Sequence, residues 1–165
     1  AAKTGPISKL LKNAIIAPAL PTVTAQVDWL AGASVLMRQS VLDQIGIFDE
    51  TFFLYFEETD LCHRAARAGW PTDYVVESRV MHIGSVSTGM KEWQRVPSYW
   101  FSSRRHYFEK NHGRIYAFGA TVAHIAGLGV YGLRVLLQRK KPHTPPHFLR
   151  DLVKHSMGTR TSQES

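Results

Sequence analysis

Apolar and polar positions alternate in short blocks along this chain, and the blocks predict a mixed α/β succession. Residues 23–30 alternate loosely and read as a strand. Residues 34–38 read as a second, buried strand, and residues 39–45 as a short helix with Ser40 as its cap and Gly46 as its stop. The densest apolar run, from Phe48 to Phe56, ends in Glu57, Glu58 and Asp60. A helical pattern follows at once: Leu61, Ala65 and Ala68 recur at i, i+4 and i+7, and Gly69 ends it after about three turns. Gly69, Trp70 and Pro71 form a turn, residues 72–77 a strand, and residues 83–89 a polar loop. Pro97 suits the first turn of a helix over residues 98–110. Residues 115–133 carry no formal charge, and 148–155 form one more short helix after the break at Pro142, Pro145 and Pro146.

The 48–64 stretch concentrates the chemistry. Five acids, Asp49, Glu50, Glu57, Glu58 and Asp60, lie within twelve residues around an aromatic and aliphatic run. Carboxylates beside buried apolar groups are costly unless they are paired, bind a metal or serve as a base. Three of these acids fall at a helix N-terminus, where free N–H groups and the helix dipole favour negative charge. A solvated capping cluster explains the same pattern without any chemistry.

Charge changes the picture further. The 165 residues carry 20 Lys and Arg against 13 acids, a formal charge of +7. Acids gather between Asp28 and Asp73 and bases between Arg95 and Arg160, which suits an anionic membrane surface or nucleic acid as partner. The single cysteine, Cys62, excludes an internal disulfide and a multi-cysteine zinc site. It fits a small buried residue in a reducing compartment. The 115–133 run reaches the length of a membrane span, but its glycines, Thr121 and His124 weaken it. His124, Tyr131, Arg134 and Gln138 share one helical face, and Arg139, Lys140 and Lys141 follow. That pattern suits a helix lying in the membrane interface, with a true span and a packed core helix as alternatives.

Several motifs recur in one order: Phe48-Asp49-Glu50, then Phe53-x-Tyr55-Phe56-Glu57-Glu58-x-Asp60-Leu61-x-x-Arg64, then Gly69-Trp70. With Trp29-Leu30-Ala31-Gly32-Ala33 upstream and His82-x-Gly84-Ser85 downstream, they resemble the acceptor-side signature of inverting family-two glycosyltransferases of the GT-A fold. Tyr99-Trp100-x-x-Ser103-Arg104-Arg105-x-Tyr107-Phe108 resembles a segment of their rhamnosyltransferase-like bacterial branch. The resemblance implies an α/β, Rossmann-like fold, of which residues 1–112 are the C-terminal, acceptor-side half. Residues 113–141 would form the membrane-associated helix and 142–165 a basic, partly disordered tail. Neither an Asp-x-Asp nor a Gly-rich phosphate loop occurs, which fits a donor half lying upstream.

The same resemblance assigns roles. Inverting transfer needs a base for the acceptor hydroxyl and positive charge on the departing nucleoside diphosphate. Glu58 is the first choice as base and Glu57 the second, although the family usually carries Asp where Glu58 stands. Asp60 would orient or cap. Trp29, Gly32, Ala33, Asp49 and Glu50 would meet substrate, and Arg104 and Arg105 the diphosphate, although a solvated basic face suits these arginines too. His82 would ligate a divalent metal, Mn2+ or Mg2+, held mostly by the missing half; a structural histidine is the alternative. The expected partners are a nucleotide-sugar donor, a glycan or lipid-linked acceptor and an anionic membrane at the cytoplasmic face, without nucleic acid. A glycoside hydrolase needs a second, separated carboxylate that does not stand out. A non-catalytic basic module binding membrane or nucleic acid fits the charge and the aromatics Tyr99, Trp100, Tyr107 and Phe108, and leaves the acidic cluster unexplained.

Overall fold

The computed structural model describes residues 20–81, 94–139, 141, 142 and 144–158. In chain order the elements are strand β1 (Ala25–Val27), helices α1 (Gln39–Ile45) and α2 (Glu57–Arg67), strand β2 (Thr72–Tyr74), and helices α3 (Ser98–His112), α4 (Arg114–Leu137) and α5 (Phe148–Met157). β1 and β2 pair antiparallel, Ala25 opposite Tyr74 and Val27 opposite Thr72. This arrangement is compatible with part of a glycosyltransferase domain.

All three expected strands differ, and β2 keeps only Thr72–Tyr74 of the expected 72–77. β1 keeps three residues of the predicted 23–30, and residues 34–38 form no strand, with Leu36 fully exposed. A strand persists only where a neighbour satisfies its backbone groups. Among the described residues β1 has β2, and 34–38 has nothing. The helices hold closer to expectation, since their backbone bonds are internal. α2 covers three turns and α1 stops at Gly46, whose φ of 78° suits glycine. Ser40 does not cap α1; Arg38 stands at that position and no side chain bonds the end.

The buried apolar residues follow the helices. Val41, Leu61, Cys62 and Ala65 lie on α1 and α2, with Phe52 just before α2. Phe101, Ala117 and Leu152 come one each from α3, α4 and α5, which pack on one another. Arg95 ties the start of the helical unit to α5 through two bonds to buried Asp151, at 2.7 and 2.5 Å.

Candidate active site

The acidic turn is built by an unusual backbone. Asp49 opens it: its Oδ1 accepts from Thr51 N at 2.9 Å, and its carbonyl from Phe52 N at 3.0 Å. Tyr55 and Phe56 then adopt left-handed φ of 69° and 70°. Each costs on the order of 1–3 kcal/mol in a residue with a Cβ, and such strain persists only where its surroundings impose it. The imposing element is α3. Phe56 packs edge-on against Trp100 and tilted against Tyr107, with centroids 6.0 and 5.6 Å apart. Tyr55 and Phe53 meet Tyr99, Phe52 meets His106 at 4.7 Å, and Ser103 Oγ donates to Leu54 O at 2.9 Å. Tyr99, Ser103, His106 and Lys110 recur at i, i+4, i+7 and i+11, so one stripe of α3 grips the whole turn.

Charged bonds complete the grip. Asp60 is fully buried and accepts from Arg64 Nε at 2.8 Å, Lys110 Nζ at 2.8 Å and Asn111 Nδ2 at 2.9 Å. Lys110 also reaches Asp49 Oδ2 at 2.8 Å, beside His106 Nε2 at 2.9 Å. Burial alone would raise both carboxyls. The Lys110 ammonium, with His106 at Asp49 and with Asn111 and Arg64 at Asp60, outweighs it and holds both below the usual carboxylate range. The remaining donors of Arg64 go to the carbonyls of Ile45 at 2.6 Å, Gly46 at 3.3 Å and Ile47 at 2.8 Å, which closes the C-terminus of α1.

Glu57 and Glu58 lie outside this network. Each is half-buried, and each has one carboxylate oxygen, Oε2, that is buried without a hydrogen-bond partner among the described residues. Burial pushes the Glu58 carboxyl up, its own backbone N–H opposes this, and the Glu57 charge adds to the rise. A half-buried carboxylate with an unused oxygen and a raised affinity for protons can take a proton from a hydroxyl brought to it. Gly32 lies against it: a Cβ on Gly32 would stand 3.8 Å from Glu58 Cβ.

Next to this turn a cleft of about 800 Å3 runs between β1, α2 and the turn before β2. Trp29 and Trp70 line it with Asp28, Thr59, His63 and Tyr107. Trp70 is oriented by its Nε1–H, which donates to Gln44 Oε1 at 2.7 Å. Burial, then the neighbouring His112 and Arg67, lower the proton affinity of His63.

The other residues singled out from sequence scatter. Glu50 and Ala33 are exposed. Arg104 is not on a solvated face: 7 % exposed, it turns away from the acidic turn and donates to Thr121 Oγ1 and Ala120 O of α4. Arg105 pairs with Glu109 at 2.8 Å and donates to the carbonyls of His155 and Gly158. His82 lies outside the described residues. No three His, Cys, Asp or Glu side chains converge as a metal site among the described residues. Of the gripping residues, Ser103 entered from sequence only within a motif, and His106, Lys110 and Asn111 were not singled out; their i, i+3, i+7 and i+8 spacing was the available signal.

Residues 19–87 match the family described as glycosyltransferase-like family 2, and over them the chain resembles family-two glycosyltransferases. Similar curated proteins include an N-acetylglucosaminyl-diphospho-decaprenol L-rhamnosyltransferase of Mycobacterium tuberculosis, 44 % identical over 63 residues, 38 % of this chain and 20 % of the relative. A low-salt glycan biosynthesis hexosyltransferase of Haloferax volcanii is 37 % identical over 65 residues, 38 % of this chain and 21 % of its own. The rhamnosyltransferase WbbL of Escherichia coli is 39 % identical over 56 residues, 34 % of this chain and 21 % of its own. The matched segment thus spans about a fifth of the length of these relatives. No solved structure matches the chain.

Proposed function

We propose that this chain is the acceptor-side part of an inverting glycosyltransferase, with Glu58 as the base that deprotonates the acceptor hydroxyl. The observation that carries this is the Glu58 carboxylate: half-buried, one oxygen without a partner, beside Gly32, within the family-matched segment. The similarity to rhamnosyl- and hexosyltransferases supports glycosyl transfer in general.

In this reading the acceptor sugar lies in the cleft flanked by Trp29 and Trp70, whose rings offer apolar faces to it. Asp49 and Asp60 set the turn through α3 and do not touch substrate. Glu57 raises the proton affinity of Glu58. The donor is a nucleotide sugar, and the acceptor a glycan or lipid-linked hydroxyl. A divalent ion, Mn2+ or Mg2+, would be held mostly by residues outside this chain, with His82 as its candidate ligand here. α4, long and apolar, would rest on an anionic membrane at the cytoplasmic face.

The test is steady-state kinetics in a polypeptide that also carries the donor half. Glu58→Gln should lower kcat by about 10²–10⁴ with donor binding nearly intact. Glu57→Gln should cost less, and His82→Ala should raise the metal concentration needed. The wild-type rate should fall on its acid side at a pH above the ordinary carboxylate range, because the base must be ionised and its proton affinity is raised. Retention of kcat in Glu58→Gln with loss in Glu57→Gln would move the base one residue back. Retention in both would reduce the acidic turn to a helix cap. This chain alone should turn over no nucleotide sugar.

A further inference from the structure

A second cavity, of about 330 Å3, lies within the helical unit between α3, α4 and α5, outside the family-matched segment. Its wall is apolar, built from Phe101, Phe108, Ala117, Phe118 and Leu152. Arg104, Arg105 and Arg114 also line it, against one acid, Glu109. Glu109 is spent on Arg105 at 2.8 Å.

Arg104 is the anomaly. Its guanidinium is buried, yet no carboxylate lies within ion-pair distance among the described residues. Two neutral oxygens, at 3.1 and 3.2 Å, and the face of Phe108, 4.9 Å from Cζ, are what it has. Burial without an opposing acid lowers its proton affinity. A charge removed from water without a counter-charge is expensive, and evolution ordinarily replaces or pairs it. A guanidinium presents its donors in a planar fork that matches the oxygens of a phosphate.

We propose that this cavity binds the phosphate group of an amphiphile, with Arg104 and Arg114 at the phosphate and the apolar wall against the first part of its hydrocarbon chain. The volume falls within the range of small-molecule sites and admits a headgroup with a short length of chain. The source is a lipid and not free phosphate, because the wall is continuous with the outer apolar face of α4. Ile115 and Phe118 line the cavity and are themselves 90 % and 72 % exposed. A lipid phosphate can pass from the interface along that face and meet the first charge-compensating cation at Arg114. Nothing in this site depends on Glu58, so lipid-phosphate binding and sugar transfer succeed or fail separately.

The experiment is isothermal titration calorimetry of the 165-residue chain with dodecyl phosphate below its micelle concentration. Inorganic phosphate and dodecyl maltoside serve as headgroup-only and chain-only probes. One saturable site for dodecyl phosphate is expected, with both other probes at least about tenfold weaker, since each keeps one half of the recognition. Arg104→Met should weaken binding about tenfold or more, with the Tm unchanged or raised because an uncompensated charge leaves the interior. Should Arg104→Met fail to fold, Arg114→Gln decides, being exposed; it should weaken binding severalfold. Equal binding of inorganic phosphate, equal binding of the maltoside, unsaturable uptake of dodecyl phosphate, or full affinity in Arg114→Gln would each overturn the proposal.

Discussion

Glu58 shows how one side chain can work against the fold that holds it. Its proton affinity is raised in the folded protein by burial and by Glu57, so its ionised form is better accommodated in the unfolded chain. The sign follows: the contribution of Glu58 to stability is full below its unfolded value of 4.5 and is lost as pH rises through the higher folded value. At pH 7 the ionised residue therefore destabilises. Glu58→Gln in the 165-residue chain should raise the Tm at pH 7 and change it little at pH 4, by thermal unfolding followed with circular dichroism. A lower Tm at pH 7 would mean that Glu58 has an ionic partner. Asp60, two residues on, is the contrast: fully buried, but with three donors, so its removal should destabilise. Sequence places both acids in one helical turn and assigns neither environment, because two of the three donors to Asp60 come from α3, some fifty residues away.

α3 decides the site at the level of elements. It holds two residues with left-handed φ and both ends of the acidic turn, through rings on one side and Lys110 on the other. The aromatics Tyr99, Trp100 and Tyr107, which also suited stacking on nucleic-acid bases, face the turn instead. Because Asp49 and Asp60 are held below the carboxylate range, their contribution is present above their unfolded value of 3.8 and is lost as pH falls through the folded values. Acid should therefore loosen α3 from α2 below about pH 4, the range in which unpaired carboxyls titrate. Lys110→Met should flatten that acid limb in urea unfolding and cost about 1–3 kcal/mol at pH 7, since Arg64 and Asn111 still hold Asp60. An unchanged acid limb would place the pH dependence elsewhere. The network is not legible in sequence, whose helical pattern marks which positions share a face but not which face meets which.

The whole molecule is unevenly covered. α4 is 24 residues long, about 36 Å, is long and apolar enough to cross a membrane, and is almost unburied. Ile115, Phe118, Val130, Leu133, Leu136 and Leu137 are all more than half exposed, and Arg139 and Lys141 follow. Helices of this length and composition also occur in the cores of soluble proteins, but there they are covered. In the reading proposed above, an anionic lipid surface covers this helix, which would suit both the apolar face and the cations. Removing residues 113–141 should release the protein from vesicles containing anionic lipid in a sedimentation assay, and raising salt should weaken attachment. Alkali-resistant, salt-insensitive attachment would mean that the helix spans.

Taken alone, the sequence determined the order of the helices, their ends at Gly46 and Gly69, the acids gathered at the start of α2 and the family resemblance. These depend on periodicity, on backbone conformations that only some residues accept, and on motif spacing, all of which are local. Tertiary structure decided the rest. The region read as a strand over residues 34–38 stays unpaired, because a strand takes its hydrogen bonds from another part of the chain. Arg104, legible as a basic residue beside an aromatic, became a buried cation only when α4 folded over it. The difference between Asp60, satisfied, and Glu58, left with an unused oxygen, is set by where the donors of α3 end. Burial and hydrogen bonding are sums over neighbours distant in sequence, and one chain position does not contain them.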